Sequence, residues 1–293
     1  MTMNISARLS PPDLTALANA AGTDKGTRCG AAHGYSLIYD MVLSPLKERR
    51  DVDLLEMGLA IGGPELSGAV DRVVERSPSL SMWLSYFADV TITGFDISDF
   101  SSIRHPRFTF VRGDSGRRED VRRILDLGRT FDVILDDASH ASFHQQLGLA
   151  TLMPALKPGG LYILEDLSWQ PAAFEKSLPR VPKTARVLAD FLRTGRVVPS
   201  AAIDAPAARM LQEEIASVLL FGESTLNALA DCYNRRKGLP PVTRGGWRGA
   251  GVGRLADPKF WLFNGRRFGQ AVAGREFAHW QSVKLAIVQK RVR

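Results

Sequence analysis

Cysteine is nearly absent: Cys29 and Cys232 are the only two in 293 residues. That number argues against a disulfide framework and against a metal centre built on thiolates alone. Long hydrophobic runs are absent as well; no stretch is long enough to span a bilayer, and no membrane association is expected. The first 25 residues lack a basic start followed by an apolar run. Export is therefore not expected, and a reducing cytoplasm is the expected compartment. No internal repeat is visible, and no G-x-G-x-x-G dinucleotide fingerprint follows the first strand. What remains, 45% hydrophobic and 24% charged residues, is the composition of a globular chain able to bury a large core.

Acidic residues run out near the C-terminus. From Arg235 to Arg293 there are 14 Lys and Arg against two acids, Asp257 and Glu276. This tail carries +12 in a chain of net charge +7, so the residues before it sum to −5. A basic tail can hold an anionic partner, nucleic acid included. Here glycines interrupt it, and it contains neither a compact Lys/Arg block nor a nucleic-acid module. It reads as a solvated basic face or an anion-guiding rim, and nucleic acid is not the expected partner.

The apolar spacing at Tyr35, Ile38, Tyr39, Val42 and Leu43 predicts a helix stopped by Pro45. An earlier helix is expected from Pro12 to Ala21, with Ser10 as its cap. From Asp51 onward strands and helices alternate, with strands expected over 52–57, 90–97, 108–112, 131–135 and 160–164. Helices are expected between them over 78–87, 117–128 and 143–156, while 64–77 reads as a surface excursion. Such alternation predicts an α/β fold with a doubly wound, mainly parallel sheet. Beyond Asp166, helices are expected over 183–194 and 205–216 and strands over 217–221 and 282–289. The implied division is an N-terminal helical cover, 1–48, and a main domain, 49–293, with an irregular basic insertion over about 222–280.

Two short segments carry the chemistry. Phe131–His140 reads Phe-Asp-Val-Ile-Leu-Asp-Asp-Ala-Ser-His, and Gly159–Asp166 reads Gly-Gly-Leu-Tyr-Ile-Leu-Glu-Asp. Each is an apolar run ending in paired acids, Asp136-Asp137 and Glu165-Asp166. In a parallel sheet consecutive strands end at one edge, where ligands bind, so the two pairs are expected to meet. Acids after strands often do no more than cap helices or turn loops. Two doublets in consecutive strand-end positions, the first followed by Ser139-His140, point further. Several carboxylates buried together without a cation are costly, so Mg²⁺ or a similar hard divalent ion is expected. His140 supplies a group able to take a proton near neutral pH. His144 is expected to face the same way. His33, Tyr35 and Tyr39 lie outside the sheet and read either as packing aromatics or as a cover over the crevice.

Three further acids close the earlier strands. Glu56 precedes Gly58-Leu59-Ala60-Ile61-Gly62, whose glycines let a ligand approach the backbone. Asp96 ends the second strand, where an acid can hold ribose hydroxyls. Asp114, in Gly113-Asp114-Ser115, can accept from an adenine amino group or cap the helix after it. Together the three predict an adenosine-containing cofactor.

Thr23-Asp24-Lys25-Gly26-Thr27…His33…Tyr35, Gly113-Asp114-Ser115, Val133–His140 and Tyr162–Asp166 together resemble one family. It is the Mg²⁺-dependent class I S-adenosylmethionine methyltransferases that O-methylate sugars of natural products, a macrolide-sugar group related to rhamnosyl methyltransferases and cephalosporin hydroxylases. The likeness covers residues 20–170 or so. It implies a Rossmann-like methyltransferase fold, S-adenosylmethionine as cofactor, a glycoside or sugar acceptor, and a homo-oligomer. It further implies Asp137, Glu165 and Asp166 as metal ligands and His140 as base. The cofactor would lie among Glu56, Gly58, Gly62, Asp96, Asp114, Ser115 and Asp136, with its methionine part at the first three, its ribose at Asp96 and its adenine end at Asp114. The chain departs from the pattern at Ala60 and Ala138, where the family has glycine, and in the longer 64–77 region. A catechol or phenol would offer the metal vicinal oxygens equally well; 8% aromatic content favours an aliphatic diol. A cofactor-binding partner without catalysis and a nucleic-acid methyltransferase are the other readings. The intact Asp137, His140, Glu165 and Asp166 set argues against the first of these.

Overall fold

The computed structural model describes residues 13–29, 32–66, 68–242 and 282–292. Val52–Met57 (β1) has five of its six residues buried, as a strand covered on both faces must. It pairs in parallel with Val90–Asp96 (β2) on one side and Phe131–Asp136 (β4) on the other. Phe108–Arg112 (β3) extends the sheet beyond β2, and Leu156–Leu164 (β5) extends it beyond β4. Val283–Lys290 (β7) and Ile215–Gly222 (β6) complete seven strands in the order β3-β2-β1-β4-β5-β7-β6. Strand β7 alone is reversed, antiparallel to both β5 and β6. The expected doubly wound, mainly parallel sheet is therefore present.

Side chains along a strand alternate between faces, and the core divides accordingly. Leu54, Val133 and Leu135 face a cluster filled by Leu14–Ala21 (α1), Tyr35–Leu43 (α2) and Pro78–Tyr86 (α3). Leu55, Met57 and Ile134 face the other cluster, built from Arg118–Leu125 (α4), Ser142–Leu152 (α5), Thr184–Thr194 (α7) and Ala205–Glu214 (α8). The short Ala172–Ser177 (α6) lies between α5 and α7 in the chain. The N-terminal helices thus contribute to the same core as the sheet.

Local chemistry explains most boundaries. Helix α3 starts at Pro78 with the Ser77 side chain as cap, as a proline at the first helical position favours. Helix α1 is capped by Asp13, which accepts from the Ala16 N–H at 2.7 Å; the expected Ser10 cap lies outside the described residues. One correction concerns the stretch 222–280. Its first part, Glu223–Arg236 (α9), is a regular helix. Leu226 and Ala230, one turn apart, are buried, and the Tyr233 hydroxyl donates to Asp13 at 2.8 Å. A narrow apolar stripe in a polar segment is enough to dock a helix against tertiary partners. Residues 243–281, which hold much of the basic tail, lie outside the described residues. Among the described residues no helix is long and apolar enough to cross a membrane.

Candidate active site

The strand order turns back on itself between β1 and β4, and the crevice beyond their C-terminal ends is where such a sheet binds ligands. Backbone hydrogen bonds lock the three loops that form it. The Asp137 N–H donates to the Met57 carbonyl at 2.9 Å, and the Gly58 N–H donates to the Phe95 carbonyl at 2.8 Å. Gly58 has φ +84°, and any side chain there would run into the Asp137 backbone. Close approach of two loops, together with a left-handed backbone, requires glycine at this point.

Gly58, Gly62, Asp96, Asp114 and Ser115 line one cleft, with Asp137 at its border. The two Asp96 oxygens accept the N–H groups of Leu59 at 2.8 Å and Ser98 at 2.7 Å, so this acid shapes the cleft as well as lining it. Burial raises its pKa in spite of those bonds. The Arg72 guanidinium donates to the carbonyls of Ile61 at 2.6 Å and Gly62 at 2.5 Å. That bridge pins the 64–77 excursion to the first loop. Asp114 accepts from the Gly116 N–H at 2.7 Å, a turn-forming bond that leaves its second oxygen for a ligand.

Two of the expected cofactor residues stand behind the cleft. Glu56 is fully buried; Ser79 donates to one of its oxygens at 2.9 Å, and the other has no hydrogen-bond partner. Burial lifts its pKa to about 7. Asp136 accepts from the Tyr162 hydroxyl at 3.3 Å, and burial lifts its pKa to about 6. His144 also departs from expectation. Its Nδ1 lies 2.7 Å from Ser139 Oγ and 3.2 Å from Ser115 Oγ, in the cleft wall. Helix α5 begins only at Ser142, so His140 precedes it and helical spacing does not relate the two histidines.

Asp137 opens the second half of the site. Asp137, His140 and Asp166 each bring a ligand atom within 4.8 Å of the others. His140 and Asp166 both adopt left-handed backbone conformations, φ 59° and 51°, which cost about 1–2 kcal/mol for a side chain with a Cβ. Two such residues fall in one cluster, and strained backbone of this kind gathers at functional sites. Asp166 accepts from the Tyr35 hydroxyl at 3.0 Å, and His33 Nε2 lies 3.7 Å from its other oxygen. Burial alone would raise the Asp166 pKa, but His33, His140 and Lys284 together hold it below the ordinary value.

Glu165 faces inward. Its Oε1 accepts from the Tyr39 hydroxyl at 2.5 Å and stands 3.0 Å from Lys25 Nζ. Burial and the neighbouring Asp137 charge push its pKa well above the usual carboxylate range. Tyr35 and Tyr39 are fully buried, so these N-terminal aromatics both pack and bind the acids. A hard divalent cation suits the residues present. The carboxylates of Asp137 and Asp166 converge as hard oxygen donors, with the His140 imidazole beside them.

Lys25 carried no expected role, yet it sits at the centre. Its side chain is 2% exposed and forms ion pairs with both Asp137 and Glu165. Burial alone would lower its pKa; the two carboxylates outweigh that and hold it well above the ordinary lysine value. Lys25 is the only lysine before Lys47, but no local pattern marks it as buried. Trp169 was equally unforeseen: its indole meets the His140 ring edge to face, centroids 5.4 Å apart.

No protein-family model matches the chain. Over 163 residues it is 35% identical to the 8-demethyl-8-alpha-L-rhamnosyl tetracenomycin-C 2'-O-methyltransferase of Streptomyces olivaceus, a match covering 55% of this chain and 40% of that protein. Over 159 residues it is 34% identical to the mycinamicin VI 2''-O-methyltransferase of Micromonospora griseorubida, covering 53% of this chain and 36% of that one. The likeness is to sugar O-methyltransferases. Among solved structures, the MycE methyltransferase of the mycinamycin pathway, in complex with Mg and SAH, superposes with a TM-score of 0.57 at 26% identity. That match covers 72% of this chain and 53% of MycE. The fold is the Rossmann-like class I methyltransferase fold. The chain spans about two fifths of the length of the curated sugar O-methyltransferases it matches.

Proposed function

We propose that the protein is an S-adenosylmethionine-dependent, divalent-metal-assisted O-methyltransferase acting on a hydroxyl of a sugar or sugar-bearing natural product. One observation carries this reading. Asp137 is both a wall of the cleft formed by Gly58, Asp96 and Asp114 and a member of the Asp137–His140–Asp166 group. A cofactor seated in the cleft and a cation held by the carboxylates therefore share a border, as transfer to a bound oxygen requires. The MycE structure contains Mg and SAH, and the relatives are named for methylation of sugar oxygens, which supports the same assignment here.

The residues divide the work. Asp137 and Asp166 would hold the ion, with Glu165 behind them, and a bound ion supplies positive charge that acidifies and orients a neighbouring hydroxyl. His140 takes up the hydroxyl proton as the oxygen is methylated. Asp96, fixed by two N–H groups, would receive the ribose, and Asp114 and Ser115 the adenine end. Tyr35 and Tyr39 fix the angles of Asp166 and Glu165. Lys25 offsets part of the negative charge that the cluster concentrates in a buried place.

Calorimetric titration of S-adenosylmethionine, S-adenosylhomocysteine and NAD⁺, with and without Mg²⁺, tests the proposal. Micromolar binding of both sulfur compounds and none of NAD⁺ is the expected result. No binding of either sulfur compound would overturn it.

A further inference from the structure

Trp169 lies three residues beyond Asp166 on the loop that leaves β5, and 46% of its surface is exposed. Singly exposed apolar side chains usually need no explanation. This one differs because it touches His140, with ring centroids 5.4 Å apart and planes at 71°. The loop also holds it in place. The Trp169 N–H donates to the Asp166 carbonyl at 2.9 Å. Gln170 donates to the Leu167 carbonyl at 2.7 Å, and Lys183 donates to Gln170 at 3.0 Å. The loop that carries the indole is thus fixed, with the ring against the proposed base and half open to solvent.

We propose that Trp169 is the platform for the acceptor, with the apolar C–H face of a pyranose ring lying on the indole and the sugar hydroxyls turned toward Asp137, His140 and Asp166. The inference rests on the sugar O-methyltransferase reading and goes beyond it by naming the residue that selects a sugar. A pyranose has an apolar face and a polar rim, and this site offers one surface for each. The indole takes the face, and the Asp137–His140–Asp166 group takes the rim. A tryptophan already held by its loop loses little conformational freedom when the ring arrives. The platform also sets register, since a ring resting on an indole in contact with His140 brings its hydroxyls next to that imidazole.

The test measures binding, so that it does not depend on turnover. Methyl α-L-rhamnopyranoside is titrated by saturation-transfer NMR into wild type, Trp169→Phe and Trp169→Ala, each loaded with S-adenosylhomocysteine and Mg²⁺. The expected result is rhamnoside affinity about tenfold weaker in Trp169→Ala and within about threefold in Trp169→Phe, with S-adenosylhomocysteine affinity unchanged in both. Equal rhamnoside affinity in wild type and Trp169→Ala would overturn the platform while leaving the methyltransferase reading intact. Parallel loss of S-adenosylhomocysteine affinity in Trp169→Ala would assign the residue a structural role and overturn the platform in the same way. Failure of wild type to bind S-adenosylhomocysteine would overturn the methyltransferase reading and this inference together.

Discussion

Replacing His140 with alanine lowers methyl-transfer turnover by about 10²- to 10⁴-fold, the usual contribution of a positioned general base. A sugar hydroxyl is almost entirely un-ionised at neutral pH, so its oxygen attacks well only if the proton leaves as the new bond forms. His140 is the imidazole held within the carboxylate group, its Nδ1 3.9 Å from an Asp137 oxygen. Cofactor affinity stays within a few fold, because the cleft formed by Gly58, Asp96 and Asp114 does not include His140. The check pairs single-turnover rates with calorimetry on the same preparation. Transfer at the wild-type rate in His140→Ala would remove it from the chemistry.

Replacing Lys25 with methionine destabilises the fold by about 3–5 kcal/mol, the range found when one partner of a buried ion pair is removed. The side chain is 2% exposed and pairs with Asp137 and Glu165 at once. Methionine fills the space but leaves two carboxylates crowded together without the ammonium. Urea unfolding of the metal-free protein reads the loss as a lower midpoint. Adding Glu165→Gln to Lys25→Met recovers part of that loss, because the second change removes one of the stranded charges. An unchanged midpoint in Lys25→Met would show that the ammonium contributes nothing to holding the N-terminal segment against the site.

The sheet was legible because its signals are local. Strand-length apolar runs, each ending in glycine or an acid, alternate with helix-length segments from Val52 to Leu164, and that order admits few topologies. Asp137 and Asp166 could be foreseen as neighbours because parallel strands end at one edge. Other features depend on contacts that no window of sequence contains. Lys25 lies in the polar stretch Thr23–Thr27, and only the fold brings it to Asp137, 112 positions away. The inward turn of Glu165 follows from Tyr39 and Lys25, not from its own neighbours. His144 was misplaced because the helix start at Ser142 breaks the spacing that would relate it to His140. Helix α9 was hidden by its polar composition, since its burial comes from packing beside β6 and α2. Trp169 gives no periodic signal at all; its meaning comes from a single contact with His140.

The most direct test of the account follows a tritiated methyl group from S-adenosylmethionine to a sugar. The purified protein is incubated with the labelled donor and methyl α-L-rhamnopyranoside, with Mg²⁺ or after exhaustive chelation. The account predicts label on a sugar oxygen with Mg²⁺, none after chelation, and recovery when Mg²⁺ is returned. Full transfer after chelation would contradict the role given to Asp137 and Asp166, and no label on the sugar with Mg²⁺ and donor bound would contradict sugar O-methylation itself.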